Sequence, residues 1–229
     1  MTTTEQERVE SLRDAEDKAK ALFDEVVARG LIMPNIGERE LSDQIRVLAN
    51  ELFDVRRFWH KRVVRSGVNT IEPYASNPPD RRLEDDDIVF LDFGPLFTEW
   101  EADLGRTYVL GDDPVKHRLA EDLPRIWEAG RAHFAANPQI TGAQLFDHVT
   151  GLIADAGWGH ATDHAGHLIG EFPHEKINGD EIASYIAPGS DGPMRRRDSA
   201  GRTCHWILEV HLVNPEGTFG GFFEQLLDI

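Results

Sequence analysis

The sequence predicts one α+β domain over residues 1–229, with helices early and strands grouped late. Three observations carry this reading. Apolar residues recur at helical three- and four-residue spacing through roughly the first fifty positions. Short apolar or β-branched runs (KRVVRS, IVFLDF, RTYVL, WILEVHLV) stand between turn signals and read as strands. No fixed-period repeat or low-complexity linker divides the chain, and its length is enough for one sizeable core.

Each element has its own signal. Val9, Leu12, Ala15, Ala19, Leu22, Phe23, Val26 and Val27 mark a first helix, with capping-box spacing at Thr4 and Glu7 and Gly30 after its end. Pro34 and Gly37 mark a turn. Leu41, Ile45, Leu48, Leu52 and Phe53 give a second helix one apolar face. KRVVRS (61–66) reads as a short strand broken by Gly67, and 68–82 as a loop with three prolines. IVFLDF (88–93) is the strongest buried-strand candidate, and RTYVL (106–110) a second strand after a turn. Helices are expected over about 114–136, with Pro at the first turn, and about 141–156. A Gly- and His-rich stretch and a polar loop (187–203) follow. Two strands, 205–213 and 220–227, close the pattern.

Acidic residues outnumber basic ones, 41 to 24, for a net charge of −17. That balance argues against nucleic acid and against an anionic membrane surface as partners. No apolar run is long enough to span a bilayer, and the polar N-terminus does not read as a secretory signal. Cys204 is the only cysteine, which fits a reducing, cytoplasmic compartment.

Asp92 lies inside IVFLDF, where an uncompensated carboxylate is costly. Alone it would read as a cap of the turn at Gly94. Asp103 follows eleven positions later, just before the next strand. Strands folded back on each other would bring the two carboxylates together, and such a pair shares a proton or binds a cation. His160, His164, His167 and His174 fall within fifteen residues, among glycines. One alone would read as a solvated loop histidine; four together point to a site. Glu209 and Glu224 each interrupt a further apolar strand. A solvated face would show several acids in alternation. Oxygen donors plus one imidazole suit a dinuclear Mn, Fe, Co or Zn site better than a structural zinc.

On these residues the chain resembles the pita-bread metallohydrolases: methionine aminopeptidase, aminopeptidase P, prolidase and creatinase. That family's ligands run Asp, Asp, His, Glu, Glu. The match sets them at Asp92 in LDFG, Asp103 ahead of RTYVLG, His167 in GHLIG, Glu209 in ILEV and Glu224 in FFEQ. A family histidine seven positions after the metal histidine matches His174 in FPHE. The resemblance implies a curved antiparallel sheet covered by helices, without the N-terminal domain of the larger relatives. It also implies two divalent metals, bridged by Asp103 and Glu224, with Asp92 on one and His167 and Glu209 on the other. Glu209 then moves the proton of the attacking water, and His174 hydrogen-bonds the substrate carbonyl.

Three positions depart from the family pattern. Gly105 stands where the family usually has Thr, and Val210–His211 follow Glu209 instead of Pro. The stretch IEPYASNPPDR lacks the peptidases' usual histidine, leaving Tyr74 as the nearest candidate for its role. His164, Tyr74 and His211 are the expected substrate-binding residues. Arg195, Arg196 and Arg197 read as a solvated loop before a carboxylate clamp, Trp100 as core before pocket wall, and Glu84–Asp87 as a solvated turn. The reading is a metal-dependent hydrolase of amide bonds, resembling aminopeptidases and Xaa-Pro peptidases. Its runner-up is the same site acting on a small non-peptide substrate. A non-catalytic peptide-binding module ranks last, because all five ligands are present. A homodimer is compatible with the resemblance.

Overall fold

The computed structural model describes residues 3–173 and 181–229. Helices α1 (Glu5–Ala28) and α2 (Glu38–Phe53) open the chain. The Thr4 hydroxyl accepts from the Glu7 N–H at 3.3 Å, and the Glu7 carboxylate accepts from the Thr4 N–H at 2.7 Å. This reciprocal cap satisfies backbone donors that the first helical turn leaves open. Strand β1 (Val63–Ser66) leads into a 3₁₀ turn at Gly67–Ile71. Strands β2 (Ile88–Phe93) and β5 (Leu104–Val109) pair over six residues. Between them β3 (Leu96–Phe97) and β4 (Trp100–Glu101) form a two-residue ribbon where the sequence predicts a turn.

Helix α3 (Pro114–Ala136) starts on Pro114 after the Asp113 cap, and α4 (Gly142–Asp155) starts on a Thr141–Gln144 capping box. The Gly- and His-rich stretch supplies two short strands, β6 (Gly159–His160) and β7 (Leu168–Ile169). Strands β8 (His205–Val213) and β9 (Gly220–Leu226) complete the chain's elements. Among the described residues, seven strands make one antiparallel sheet in the order β1-β2-β5-β9-β8-β6, with β7 also paired to β8. No helix among them is long and apolar enough to cross a membrane.

Alternation along the strands separates a packed face from a lined one. Val89, Leu91 and Phe93 of β2 pack with Ala15, Ala19 and Leu22 of α1 and Leu41 and Ile45 of α2. Leu208, Val210 and Leu212 of β8 pack with Leu119, Leu123 and Trp127 of α3 and Val149 and Ile153 of α4. The Trp127 indole also donates to the Leu208 carbonyl at 2.9 Å. The intervening positions Phe90, Asp92, Glu209 and His211 turn the other way and line a cavity. Trp100 packs in the core, as expected.

One expected surface turn is different. Glu84, Asp85 and Asp86 are exposed, but Asp87 is buried. Arg81 reaches it as an ion pair, and the Glu84 N–H donates to it at 2.6 Å. The carboxylate is therefore a fixed closure of the β2 entry.

His205 ties the two ends of the described chain. Its Nε2 lies 2.8 Å from Glu5 Oε1 and its Nδ1 3.0 Å from Asp228 Oδ2. Burial works to lower its pKa, but the two carboxylates win and raise it. A raised folded value means stability fully present below the unfolded value of about 6.5 and lost as pH rises through the folded one. His205→Asn is expected to cost about 2 kcal/mol near pH 6, shrinking as pH rises through the raised folded value. Denaturant melts of both proteins across that range provide the check; a constant difference would contradict this account.

Candidate metal centre

Strand register brings the acids together. Asp92 on β2 faces Gly105 on β5, Gly105 faces Glu224 on β9, and Glu224 faces Glu209 on β8. Three carboxylates thus stand in one cross-strand row, separated at one place by a glycine. Asp103 lies just before β5 and His167 just before β7. The His167 segment is pinned by backbone bonds, Glu209 N–H to Ala165 at 3.0 Å and Ile207 N–H to His167 at 2.8 Å. All five residues line one cavity of about 320 Å³.

His167 Nε2 lies 3.3 Å from Asp103 Oδ2, 3.6 Å from Glu209 Oε1 and 3.9 Å from Glu224 Oε1. A second imidazole, His60, approaches from the opposite side. Its Nε2 is 3.0 Å from Asp103 Oδ1 and 3.6 Å from Asp92 Oδ1. Each oxygen of Asp103 therefore faces one imidazole. The segment carrying His60 is strapped to the turn after β2. Leu96 N–H donates to the Arg57 carbonyl at 3.0 Å, Trp59 N–H to Gly94 at 2.9 Å, and the Trp59 indole to Ala102 at 3.0 Å. Gly94 leaves the space for this approach: a Cβ there would lie 2.2 Å from the His60 ring.

The charges perturb one another strongly. Burial would lower the pKa of His60, but Asp103 and Asp92 raise it to about 9. Burial opposes His167 likewise, and Asp103 and Glu209 raise it to about 9. Burial alone would raise Asp103, yet the two imidazoles hold it well below the usual carboxylate range. Asp92 is pushed up to about 7 by burial, which, with its acidic neighbours, outweighs the pull of His60. Glu224 rises well above its ordinary value through burial and the charges of Asp103, Glu209 and Asp92. Without a cation, such a cluster holds protons.

Asp92 Oδ1 and Glu224 Oε2 are buried with no hydrogen-bond donor among the described residues. Buried acceptors without partners are costly, and a cation between them removes the cost. Two triads, His60–Asp92–Asp103 and Asp103–His167–Glu224, hold their donor atoms within 4.8 Å of one another. Carboxylate oxygens with imidazoles are the donors of divalent metals. The residues present fit such ions.

The cavity's other walls are mixed. Phe90, Phe222, Val63 and Tyr185 give it apolar surface, and Thr162, His164 and Tyr74 polar edges. His164 Nδ1 lies 3.7 Å from Glu209 Oε1. His211 lines the floor, but its Nε2–H donates to the Thr70 carbonyl at 2.9 Å, and burial lowers its pKa to about 4. It is a neutral, already bonded group. Arg65 is buried among the lining residues, and its guanidinium donates to the carbonyls of Glu72, Pro73 and Ser76. It thereby holds the Tyr74 loop over the site. Arg195 instead donates to the Phe134 and Asn137 carbonyls at the end of α3, outside the cavity. His174 lies outside the described residues.

Gly105 has a steric reason. A Cβ there would lie 2.5 Å from Phe222 Cδ1 and 3.0 Å from Glu224 Cβ. The Phe222 ring occupies the place a side chain on β5 would take. His60 is the residue that sequence reasoning missed. Histidine was sought between β1 and Asp92, and His60 precedes β1. The one available signal was a lone His beside Trp59 in FWHK.

Comparison with known proteins gives the family. The model of metallopeptidase family M24 matches residues 10–224. The chain belongs to metallopeptidase family M24. It is 27% identical over 163 residues to a Xaa-Pro dipeptidase of Pyrococcus horikoshii, covering 69% of this chain and 45% of that one. The crystal structure of a dipeptidase from the same organism superposes with TM-score 0.75 at 26% identity, over 94% of this chain and 55% of that chain. Methionine aminopeptidase from Thermotoga maritima shares the fold, with TM-score 0.73 at 16% identity, over 99% and 94% of the two chains. The α+β architecture is thus the pita-bread fold of M24. The chain spans about half the length of the curated relatives it matches.

Two outcomes follow for this M24 centre. Cobalt(II) at about a hundredfold excess over Kd should raise the melting temperature by about 5–10 °C, reversed by chelator, in thermal melts of chelator-treated protein. Gly105→Ala should cost about 1–3 kcal/mol through overpacking. Added to Phe222→Ala, it should cost at least about 1 kcal/mol less, as a double-mutant cycle would read.

Proposed function

We propose that the chain is a metal-dependent hydrolase of amide C–N bonds in small peptides, of the Xaa-Pro peptidase and aminopeptidase type. One observation carries it: Asp92, Asp103, His167, Glu209 and Glu224 converge on one cavity in which two buried carboxylate oxygens lack a donor among the described residues. Two divalent ions held by these residues would supply Lewis acidity and an acidified water. Manganese, iron, cobalt or zinc suits the donors. Asp103 turns one oxygen toward His60 and the other toward His167, and so would help hold both ions.

The chain's own groups do the rest. Glu209, by family resemblance, would accept the water's proton and return it to the leaving nitrogen; its Oε1 lies 3.7 Å from His164 Nδ1. His164 and Thr162 offer polar contacts to a substrate carbonyl. Phe90 and Phe222 form an apolar wall that excludes water from the reacting bond. His174 has the role of steadying the substrate carbonyl, by family resemblance. A cavity of about 320 Å³ stands at the low end of small-molecule pockets, roughly 300–1,000 Å³, and suits a dipeptide-sized substrate.

A second reading keeps the centre and changes the substrate to a small non-peptide amide. The Phe222 ring beside Gly105 and the Tyr74 phenol at the cavity edge favour it, because they stand where the family resemblance leads one to expect a Thr and a His. The single cysteine supports a reducing, cytoplasmic setting.

Glu209→Gln should lower kcat by at least about a hundredfold while leaving the fold intact. Assays on aminoacyl, Xaa-Pro and non-peptide amide substrates with cobalt or manganese added read this out. Full activity in the variant would refute the role of Glu209. No turnover on any peptide, with turnover of another amide, would favour the second reading.

A further inference from the structure

We propose that His60 is a sixth metal ligand, so that each of the two cations has an imidazole of its own. The inference rests on the two-metal reading above and adds to it a residue that the five-ligand pattern does not contain.

His60 and His167 are held in the same way. The Nδ1–H of His60 donates to the Lys61 carbonyl at 2.8 Å, and that of His167 to the Leu168 carbonyl at 2.8 Å. A carbonyl only accepts, so Nδ1 carries the proton in both rings, and Nε2 is the atom each presents to the centre. A hydrogen bond from the far nitrogen to a carbonyl is the usual support of a ligating histidine. The Nε2 atoms then flank Asp103, one on each oxygen.

The distances around His60 suit ligation better than simple hydrogen bonding. Nε2 is 3.0 Å from Asp103 Oδ1 but 3.6 Å from Asp92 Oδ1, which has no hydrogen-bond donor among the described residues. Two donors at about 2.1 Å from one ion, at angles of about 90–120°, stand about 3.0–3.6 Å apart. His60, Asp92 and Asp103 thus form one half-site, and Asp103, His167 and Glu224 the other. The His60 side chain is only 9% exposed. The Trp59 ring stands edge-on to both imidazoles, 4.5 Å from His60 and 5.5 Å from His167, so one indole fixes both. A second imidazole softens the half-site that would otherwise be all oxygen, and shifts its preference toward cobalt and zinc over magnesium.

The experiment uses cobalt(II) with the full chain. X-ray absorption on the cobalt-loaded, unaltered protein counts imidazoles, with one per cobalt expected at two cobalt per chain. Equilibrium dialysis with elemental analysis then compares it with His60→Ala and His60→Gln. In both variants one ion should bind as before and the second at least about tenfold more weakly. Melting of the metal-free proteins shows whether the variants fold, and the absorption result decides the matter if they do not. One imidazole per two cobalt ions overturns the proposal, as does wild-type binding of both ions by folded variants; either leaves the hydrolase reading standing. No cobalt uptake by the unaltered chain overturns both.

Discussion

Like charges held in register are the constraint on which this molecule turns. Antiparallel pairing of β2, β5, β9 and β8 sets Asp92, Glu224 and Glu209 in a single row. All three acids are buried, with Asp103 beside them. In water such groups would separate or stay ionised apart; here the strands do not let them. The packed side of the sheet explains why they cannot relax. Helices α1 to α4 press two apolar clusters against the strands, and Trp127 locks α3 to β8 by its indole. The repulsion on one face is sustained by hydrophobic burial on the other. A centre of this kind is a preformed demand for positive charge.

Much of this was legible in the sequence, because the signals were local. An acid inside IVFLDF, a second eleven residues on, GHLIG, and single acids in two late apolar strands each stand out within a few residues. The Thr4–Glu7 cap and the Pro114 helix start were readable for the same reason. What escaped depends on contacts between distant segments. His60 meets Asp103 across 43 positions of chain. Phe222 fills the space above Gly105 only because β9 pairs with β5. Asp87 looked like part of an acidic surface run, and only the fold of the 68–82 loop brings Arg81 onto it. His211 sits on the cavity floor as expected from its position near Glu209, but its ring is committed to Thr70.

Scaffold and lining form two layers of the structure. The strand row, the helices behind it and the pinned His167 segment carry the fold, which dipeptidase and methionine aminopeptidase structures share. On the lining, the Phe222 ring fills the space beside Gly105, Tyr74 stands at the cavity wall, and an imidazole enters from the segment before β1. Scaffold and lining are held by different forces: the first by burial and backbone pairing, the second by side chains that reach in from loops.

The Arg65 clasp shows what that separation allows. Its guanidinium grips main-chain oxygens of the 72–76 loop, with one longer contact to the Ser76 hydroxyl at 3.5 Å. Lys61 adds a further grip on the Ser76 carbonyl. Every residue has a carbonyl, so these main-chain anchors do not depend on which side chains the loop carries. Evolution can therefore rewrite the letters along this edge while its path stays fixed. The rim is a socket into which new specificities can be fitted one substitution at a time.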